Sequence, residues 1–178
     1  MKLFQLISIL FFLSFMASCL PDDGILSGDN TFSARVDGDR ISTVFPTAER
    51  NEFENSLDPD NPFRSALIAG VHLGTQNVLS LNIISLTDLA TGEYELDGTC
   101  TNFDNCTLLS YIVTVDGGDN MEFTTGNDSL STVKVNILEI DYQEDGRIRG
   151  TFSGTLFDVD TGDLLTITDG DFDLTFRN

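Results

Sequence analysis

From Phe32 onward, apolar and polar side chains alternate with a period of two in short runs rich in Val, Ile, Thr and Phe, separated by clusters of Gly, Asp and Asn. No stretch sustains a 3.6-residue apolar period over about a dozen residues, so the pattern predicts strands and no helices. Strands are expected near 31-36, 40-46, 65-73, 77-86, 92-96, 107-115, 120-125, 131-143, 147-157, 164-168 and 171-177. Residues 47-64 follow Pro46, contain Pro59 and Pro62 among many polar positions, and read as a long loop. The expected fold class is therefore all-β, a single antiparallel β-sandwich or a partly open β-barrel. Long strands with one apolar face suit both, and periodicity does not choose between them.

Two hairpins can be argued to register. A two-residue type I′ turn at Asp37-Gly38 places Ala34 opposite Ile41 and Val36 opposite Asp39. In the second, Glu144-Asp145-Gly146 is expected to form a three-residue loop with Gly146 left-handed, so that Tyr142 faces Ile148, Ile140 faces Gly150 and Leu138 faces Phe152. Upstream the apolar positions are Val133, Val135 and Ile137, which are odd-numbered, so the phase flips between Ile137 and Leu138. A β-bulge there, or a strand centre buried on both faces, accounts for the flip.

The first twenty residues follow a different rule. Lys2 precedes an apolar run from Leu3 to Met16, broken by Gln5, Ser8 and Ser14, which has the shape of a signal peptide. The run falls short of the roughly 20 residues a membrane-spanning helix needs, and no basic stop-transfer cluster follows it. Met16-Ala17-Ser18-Cys19 resembles a lipobox, and the resemblance implies cleavage after residue 18 and acylation of Cys19. Several acyl chains anchor a protein firmly where one holds it only marginally. Residues 1-18 are then a signal peptide, 19-30 the lipidated N-terminus and a flexible tether, and 31-178 one all-β domain. Pro21-Asp22-Asp23 resembles the acidic surface-export signal of Bacteroidota lipoproteins, which implies an outer-membrane protein facing the cell surface rather than the periplasm.

Removal of residues 1-18 takes away Lys2 and leaves eight basic against 29 acidic side chains, a net charge of −21. That charge repels nucleic acid and anionic head groups and favours basic partners or cations. The acids are spread along the chain, which fits a solvated surface. The recurring strand-like segments argue against disorder.

Phe32-Ser33-Ala34-Arg35-Val36-Asp37-Gly38 near the start, Ile148 to Leu156, and Ile167-Thr168-Asp169-Gly170-Asp171-Phe172 near the end resemble the framing motifs of small Bacteroidota lipoproteins of unknown function. The resemblance covers roughly residues 31-45 and 147-176. It implies an all-β domain and no catalytic residues.

Candidate chemistry is sparse. His72 is the one histidine, on a strand position opposite in phase to Val71 and Leu73, so a surface role outweighs catalysis, and a His-ligated zinc site lacks partners. No Gly-x-Ser-x-Gly elbow is present. Cys100 and Cys106 bracket a five-residue loop and are expected to pair in an oxidising compartment, the alternatives being a free buried thiol or a metal pair. Asp158, Asp160 and Asp163, followed by Asp169, Asp171 and Asp173, form the densest acidic feature. The first three suit a calcium loop in part, but lack the glycine and glutamate positions of an EF-hand. The competing reading makes Asp160-Thr161-Gly162 a hairpin turn and Asp171 and Asp173 the solvent side of a strand. Asp128-Ser129-Leu130 resembles the Bacteroidota O-glycosylation acceptor, with Ser129 as the modified residue.

Two function classes remain. The first is a lipid-anchored, non-enzymatic binding or envelope module, monomeric, with an unidentified protein or glycan ligand, no cofactor and no nucleic acid. The second is a carboxylate-dependent, glycosidase-like hydrolase with a cleft near residues 47-64, or a calcium-stabilised adhesion module.

Overall fold

The computed structural model describes residues 30–53, 62–85, 88–96, 106–115, 120–125, 130–158 and 160–177. Among the described residues there are eleven strands and no helix. In chain order they are β1 (Thr31–Val36), β2 (Asp39–Ser42), β3 (Val44–Phe53), β4 (Phe63–Val71), β5 (Val78–Ser85), β6 (Gly92–Leu96), β7 (Cys106–Val113), β8 (Met121–Thr124), β9 (Thr132–Ile140), β10 (Arg147–Asp158) and β11 (Leu164–Arg177).

All eleven belong to one sheet, in the order β2-β1-β11-β3-β4-β5-β7-β8-β10-β9-β6, with β10 and β11 also paired to each other. That last pairing turns the order into a flattened ring. One layer runs β2-β1-β11-β10-β9-β6, and the other runs β3-β4-β5-β7-β8. The layers join where the end of β11 runs parallel to β3, Phe176 beside Ala48, and where the end of β10 meets β8, Phe157 beside Thr124. Because β10 and β11 are antiparallel, these two junctions lie at opposite ends of the pair. Sandwich and partly open barrel are thus two descriptions of one closed-at-the-corners sheet. The sheet is mixed because of the short β11 to β3 contact.

Side chains from both layers fill the interior. Phe32, Ile137, Leu156 and Phe172 come from the first layer, Ile68, Leu81 and Leu109 from the second, and all are at most 1 % exposed. At the centre, β10 and β11 place a glycine opposite a phenylalanine twice over, Gly150 with Phe172 and Phe152 with Gly170. A Cβ on Gly150 would lie 2.6 Å from Phe172 Cζ, and one on Gly170 would lie 2.6 Å from Phe152 Cδ1. Each ring therefore covers the bare backbone of the residue across from it, the device by which an aromatic compensates for a strand glycine. The two rings are 6.4 Å apart between centroids, and Phe32 adds a third at 5.4 Å from Phe152.

The first hairpin forms as its turn residues dictate. Ala34 pairs with Ile41 and Val36 with Asp39, and both Asp37 (φ 47°) and Gly38 (φ 92°) are left-handed. The segments carrying the two framing motifs lie side by side, with β1 on β11 and β11 on β10. The expected strands at 164-168 and 171-177 are one strand, β11. Its buried positions switch from Leu165 and Ile167 to Gly170, Phe172, Leu174 and Phe176 across a bulge at Thr168-Asp169, where Asp169 takes φ 49°.

The second hairpin keeps its bulge but not its register. Glu139 pairs with Arg149 and Ile137 with Gly150, which leaves Leu138 as the extra, exposed residue. Ile148, however, faces Ile140 rather than Tyr142, and Phe152 faces Val135 rather than Leu138. The left-handed residue is Asp145 (φ 59°), not Gly146, whose own constraint is crowding by the Asp141 and Gln143 carbonyls. The reason is a long-range bond. Tyr142 leaves the ladder, its hydroxyl donating to the carbonyl of Ser65 at 2.8 Å and lying 3.0 Å from that of Asn51, while its ring packs edge-on against Phe176. It thereby ties the β9-β10 turn to the opposite layer.

Residues 47-53, expected as part of a loop, extend β3. Only Ala48 of that stretch is buried, so no apolar alternation announces it. Pro46 is accommodated in a bulge, since the register against β4 shifts between Val44 and Thr47.

Two outcomes follow. Gly150→Ala and Gly170→Ala are each expected to lower unfolding free energy by about 1 to 3 kcal/mol through overpacking, read from urea midpoints. Tyr142→Phe should cost about 1 kcal/mol near neutral pH. Burial raises the Tyr142 pKa above the ordinary tyrosine value, outweighing the opposing hydrogen bond to Ser65. A raised pKa means the folded state favours the neutral phenol, so the benefit is complete below the unfolded value and lost as pH climbs through the folded one. The gap between wild type and Tyr142→Phe should accordingly narrow above about pH 10, measured by urea unfolding at several alkaline pH values.

Candidate functional site

Strand alternation sends the odd-numbered residues of β10 and the polar residues of β9, β11 and β1 to the outside of the first layer. Five of the eight basic residues after Lys2 collect there, namely Arg35, Arg40, Lys134, Arg147 and Arg149. Every one of them meets a carboxylate from another strand, adjacent in all cases but that of Arg40, which reaches across β1. Arg35 reaches Asp169 at 3.2 Å, Arg40 reaches Asp171 at 3.9 Å, and Arg149 reaches Asp173 at 3.9 Å. Arg147 grips Asp173 through two nitrogens, at 2.6 and 2.5 Å. Lys134 bonds Glu95 at 2.6 Å and lies 3.5 Å from Glu93. The hydrogen bond to Glu95 and the charge of Glu93 raise the Lys134 pKa, so the pair persists to higher pH than a free lysine allows.

This face is not flat. A groove of about 580 Å³ runs over β10, with Thr151 and Ser153 as its floor above Phe152 and Gly170. Glu93, Lys134 and Asn136 form one wall and Asp169 and Asp171 the other. The floor side chains are short hydroxyls, Glu93 and Lys134 stand on one side of them, and the second wall lies at the bulge of Thr168-Asp169. Asp171 is fixed by the Ser33 hydroxyl, which donates to Oδ1 at 2.8 Å. The groove thus offers hydroxyls, an amide and carboxylates already held by cations. That set suits recognition of a polar ligand through several hydrogen bonds. The sequence marks Asp169 and Asp171 as acids and the segments 148-156 and 167-172 as framing motifs, but nothing in it joins them to Glu93, Lys134 and Asn136.

Of the residues singled out from sequence, Asp169 and Asp171 line the groove and the other described ones lie outside it. Cys19, Cys100 and Ser129 are outside the described residues. Cys106 is buried and disulfide-bonded. His72 belongs to the turn after β4, its Nδ1 3.1 Å from Thr75 Oγ1 and its backbone bonded to Asn77 and Gln76. It is not brought to the groove.

Asp158 is 3 % exposed, and its Oδ1 accepts the backbone N–H groups of Asp160 at 2.8 Å and Thr161 at 3.0 Å. Its carboxylate caps the β10-β11 turn from within, while the side chains of Asp160 and Asp163 are exposed. Among the described residues, no group of three or more His, Cys, Asp or Glu is placed to hold a metal. Asp171 and Asp173 do lie on the outer side of β11, alternating with Phe172 and Leu174. The sequence also gave no hint of Asn77, whose amide donates to the Tyr111 hydroxyl at 2.6 Å and accepts from Thr114 N at 3.1 Å.

Asp158→Ala is expected to lose about 1 to 2 kcal/mol, the cost of an unsatisfied turn. Asp158→Asn, which keeps the accepting oxygen, should lose well under half of that. Melting midpoints with calcium and with chelator are expected to coincide, and a calcium-dependent rise would reassign the turn as a metal loop.

A model of the family described as Domain of unknown function (DUF5025) matches residues 64–175, from β4 to β11. The groove floor and both its walls fall inside that stretch. No curated protein and no solved structure matches the chain.

Proposed function

The chain belongs to the family described as Domain of unknown function (DUF5025), and from that premise we propose that it is a lipid-anchored envelope protein whose β-domain binds a polar ligand without transforming it. The anchor rests on the signal-peptide shape of residues 1-18 and on Cys19 following Met16-Ala17-Ser18. The framing motifs and the acids after Cys19 favour the outer membrane of a Bacteroidota cell, facing outward.

The observation that carries the binding reading is the groove over β10. Its acids are pinned, Asp169 by Arg35, Asp171 by Ser33 and Arg40, and Glu93 by Lys134. A glycosidase instead needs one carboxyl free to give a proton and a second free to attack or to activate water. Residues 47-53, within the stretch where the hydrolase reading put its cleft, form strand β3. The ligand class that fits is a peptide or glycan segment with alternating donors and acceptors, bound in register with the hydroxyl floor.

Two measurements test this. Protein purified from its native host should have an intact mass lacking residues 1-18 and carrying acyl groups on Cys19; an unacylated or uncut chain would overturn the anchor. In NMR titrations with neutral oligosaccharides and short peptides, the Asn136 side-chain amide should shift first, and Thr151→Arg should abolish the shift. Amide shifts that stay still across both probe sets, or that move elsewhere, would overturn the groove as the binding surface.

A further inference from the structure

One end of the second layer, over β3, β4, β5 and β7, differs from the rest of this acidic molecule, with Glu122 of β8 at its border. Residues 43-47, 71-77 and 113-115 carry no Asp, Glu, Lys or Arg, in a chain with 29 acids. They are neighbours by register, since Val44 pairs with Val71, Val71 with Val78, and Val78 with Ile112. Thr114 then bonds both Asn77 and Gln76. Along this rim, large apolar side chains face water: Phe45 at 68 % exposure, Leu73 at 67 %, Val115 at 40 % and Val71 at 39 %. Single exposed apolar residues are ordinary, but a row of four on adjacent strands and turns marks a contact surface.

Phe45 adds a second observation. It holds φ 49°, a left-handed conformation that costs energy for a bulky residue. At the bulge between Val44 and Thr47 the strained residue is also the one whose ring faces water.

The rim also lies where the chain enters the domain. Thr43, two residues before Phe45, bonds the carbonyl of Phe32 through its backbone and its hydroxyl, at 3.0 and 2.8 Å. Phe32 is two residues after Asn30, which is itself held to Thr175 N at 3.0 Å. Between Cys19 and Asn30, residues 19-29 can span at most about 40 Å. A lipid on Cys19 therefore keeps this end of the domain within reach of the bilayer.

We propose that the apolar rim formed by Phe45, Val71, Leu73 and Val115 inserts into the interface of the same lipid surface that the N-terminal acyl groups enter. This rests on the lipid-anchor reading above. The rim supplies an orientation that the tether alone lacks, holding the second layer's end to the membrane and the groove over β10 clear of it. Its lack of charge is what permits the approach, because the remainder of the surface is repelled by anionic head groups.

The chain contains no tryptophan, so an introduced indole is a sole reporter. Acylated Leu73→Trp protein is reconstituted on phosphatidylcholine vesicles with brominated acyl chains, beside Leu138→Trp, whose position is comparably exposed but lies on β9. Bromine quenching and a blue-shifted emission are expected for Leu73→Trp and not for Leu138→Trp. In the unacylated Cys19→Ser background, Phe45→Ser should lower vesicle partitioning by about tenfold, with circular dichroism unchanged. Vesicles that float with the protein while the Leu73→Trp indole stays unquenched would overturn the rim and leave the anchor standing. Protein that carries no acyl group and does not float would overturn the anchor, and the rim with it. A blue shift that depends on protein concentration in the absence of lipid would assign the rim to a second copy of the chain instead.

Discussion

The interior of this domain turns on the reciprocal exchange between Phe152 over Gly170 and Phe172 over Gly150. Each ring lies over the residue opposite it, so closely that a Cβ there would come within 2.6 Å of a ring carbon. The glycines provide that space, and the rings in turn shield strand backbone that glycine leaves bare. From this lock the rest follows in order. Phe32 of β1 packs on Phe152, which draws the first hairpin onto β11. Gly154, two positions on, lets Leu109 of the opposite layer approach β10 closely. The sequence motifs at the two ends of the domain are the residues of this lock and its hairpin, which gives them a packing reason.

Much of this was legible because it is local. Asp37-Gly38 specifies its turn, and the turn specifies the pairing of Ala34 with Ile41. The change of phase at Ile137 announces a bulge that the structure contains. The register of β9 against β10 was not legible, because Tyr142 answers to the carbonyls of Asn51 and Ser65, far away in the chain. β3 hid for the opposite reason: it buries little, tolerates Pro46 in a bulge, and so shows no alternation. The groove was not legible although its floor and one wall lie in the framing motifs, since the floor consists of ordinary Thr and Ser and the other wall comes from β6 and β9, distant in the chain. The acids at 158-163 were conspicuous, yet the buried one serves as a hydrogen-bond acceptor for its own turn.

Charge is sparse in the middle of the second layer. β4, β5 and β7 contain one charged residue between them, Arg64, which is paired with Glu52 and Asp88. The outer side of the first layer instead holds most of the cations, each compensated across strands. Exposed pairs of this kind add little to stability one by one. Their effect is to set the geometry of the polar groups around the groove, so that a surface with a large net negative charge still presents a locally balanced, ordered patch.

Among the described residues, β2 and β6 stand at the two ends of the strand order, at the extremes of the first layer, each with one side unpaired. Both are short, four and five residues, and both carry charge, Asp39 and Arg40 on one and Glu93 and Glu95 on the other. Short, charged borders resist sheet-to-sheet joining between molecules. Proteins fastened to a common surface meet far more often than proteins free in solution, and fibril growth through open borders becomes correspondingly harder to avoid. With its long strands spent on the ring and only stubs at the margins, this fold offers a neighbouring molecule little open backbone to pair with along those two borders.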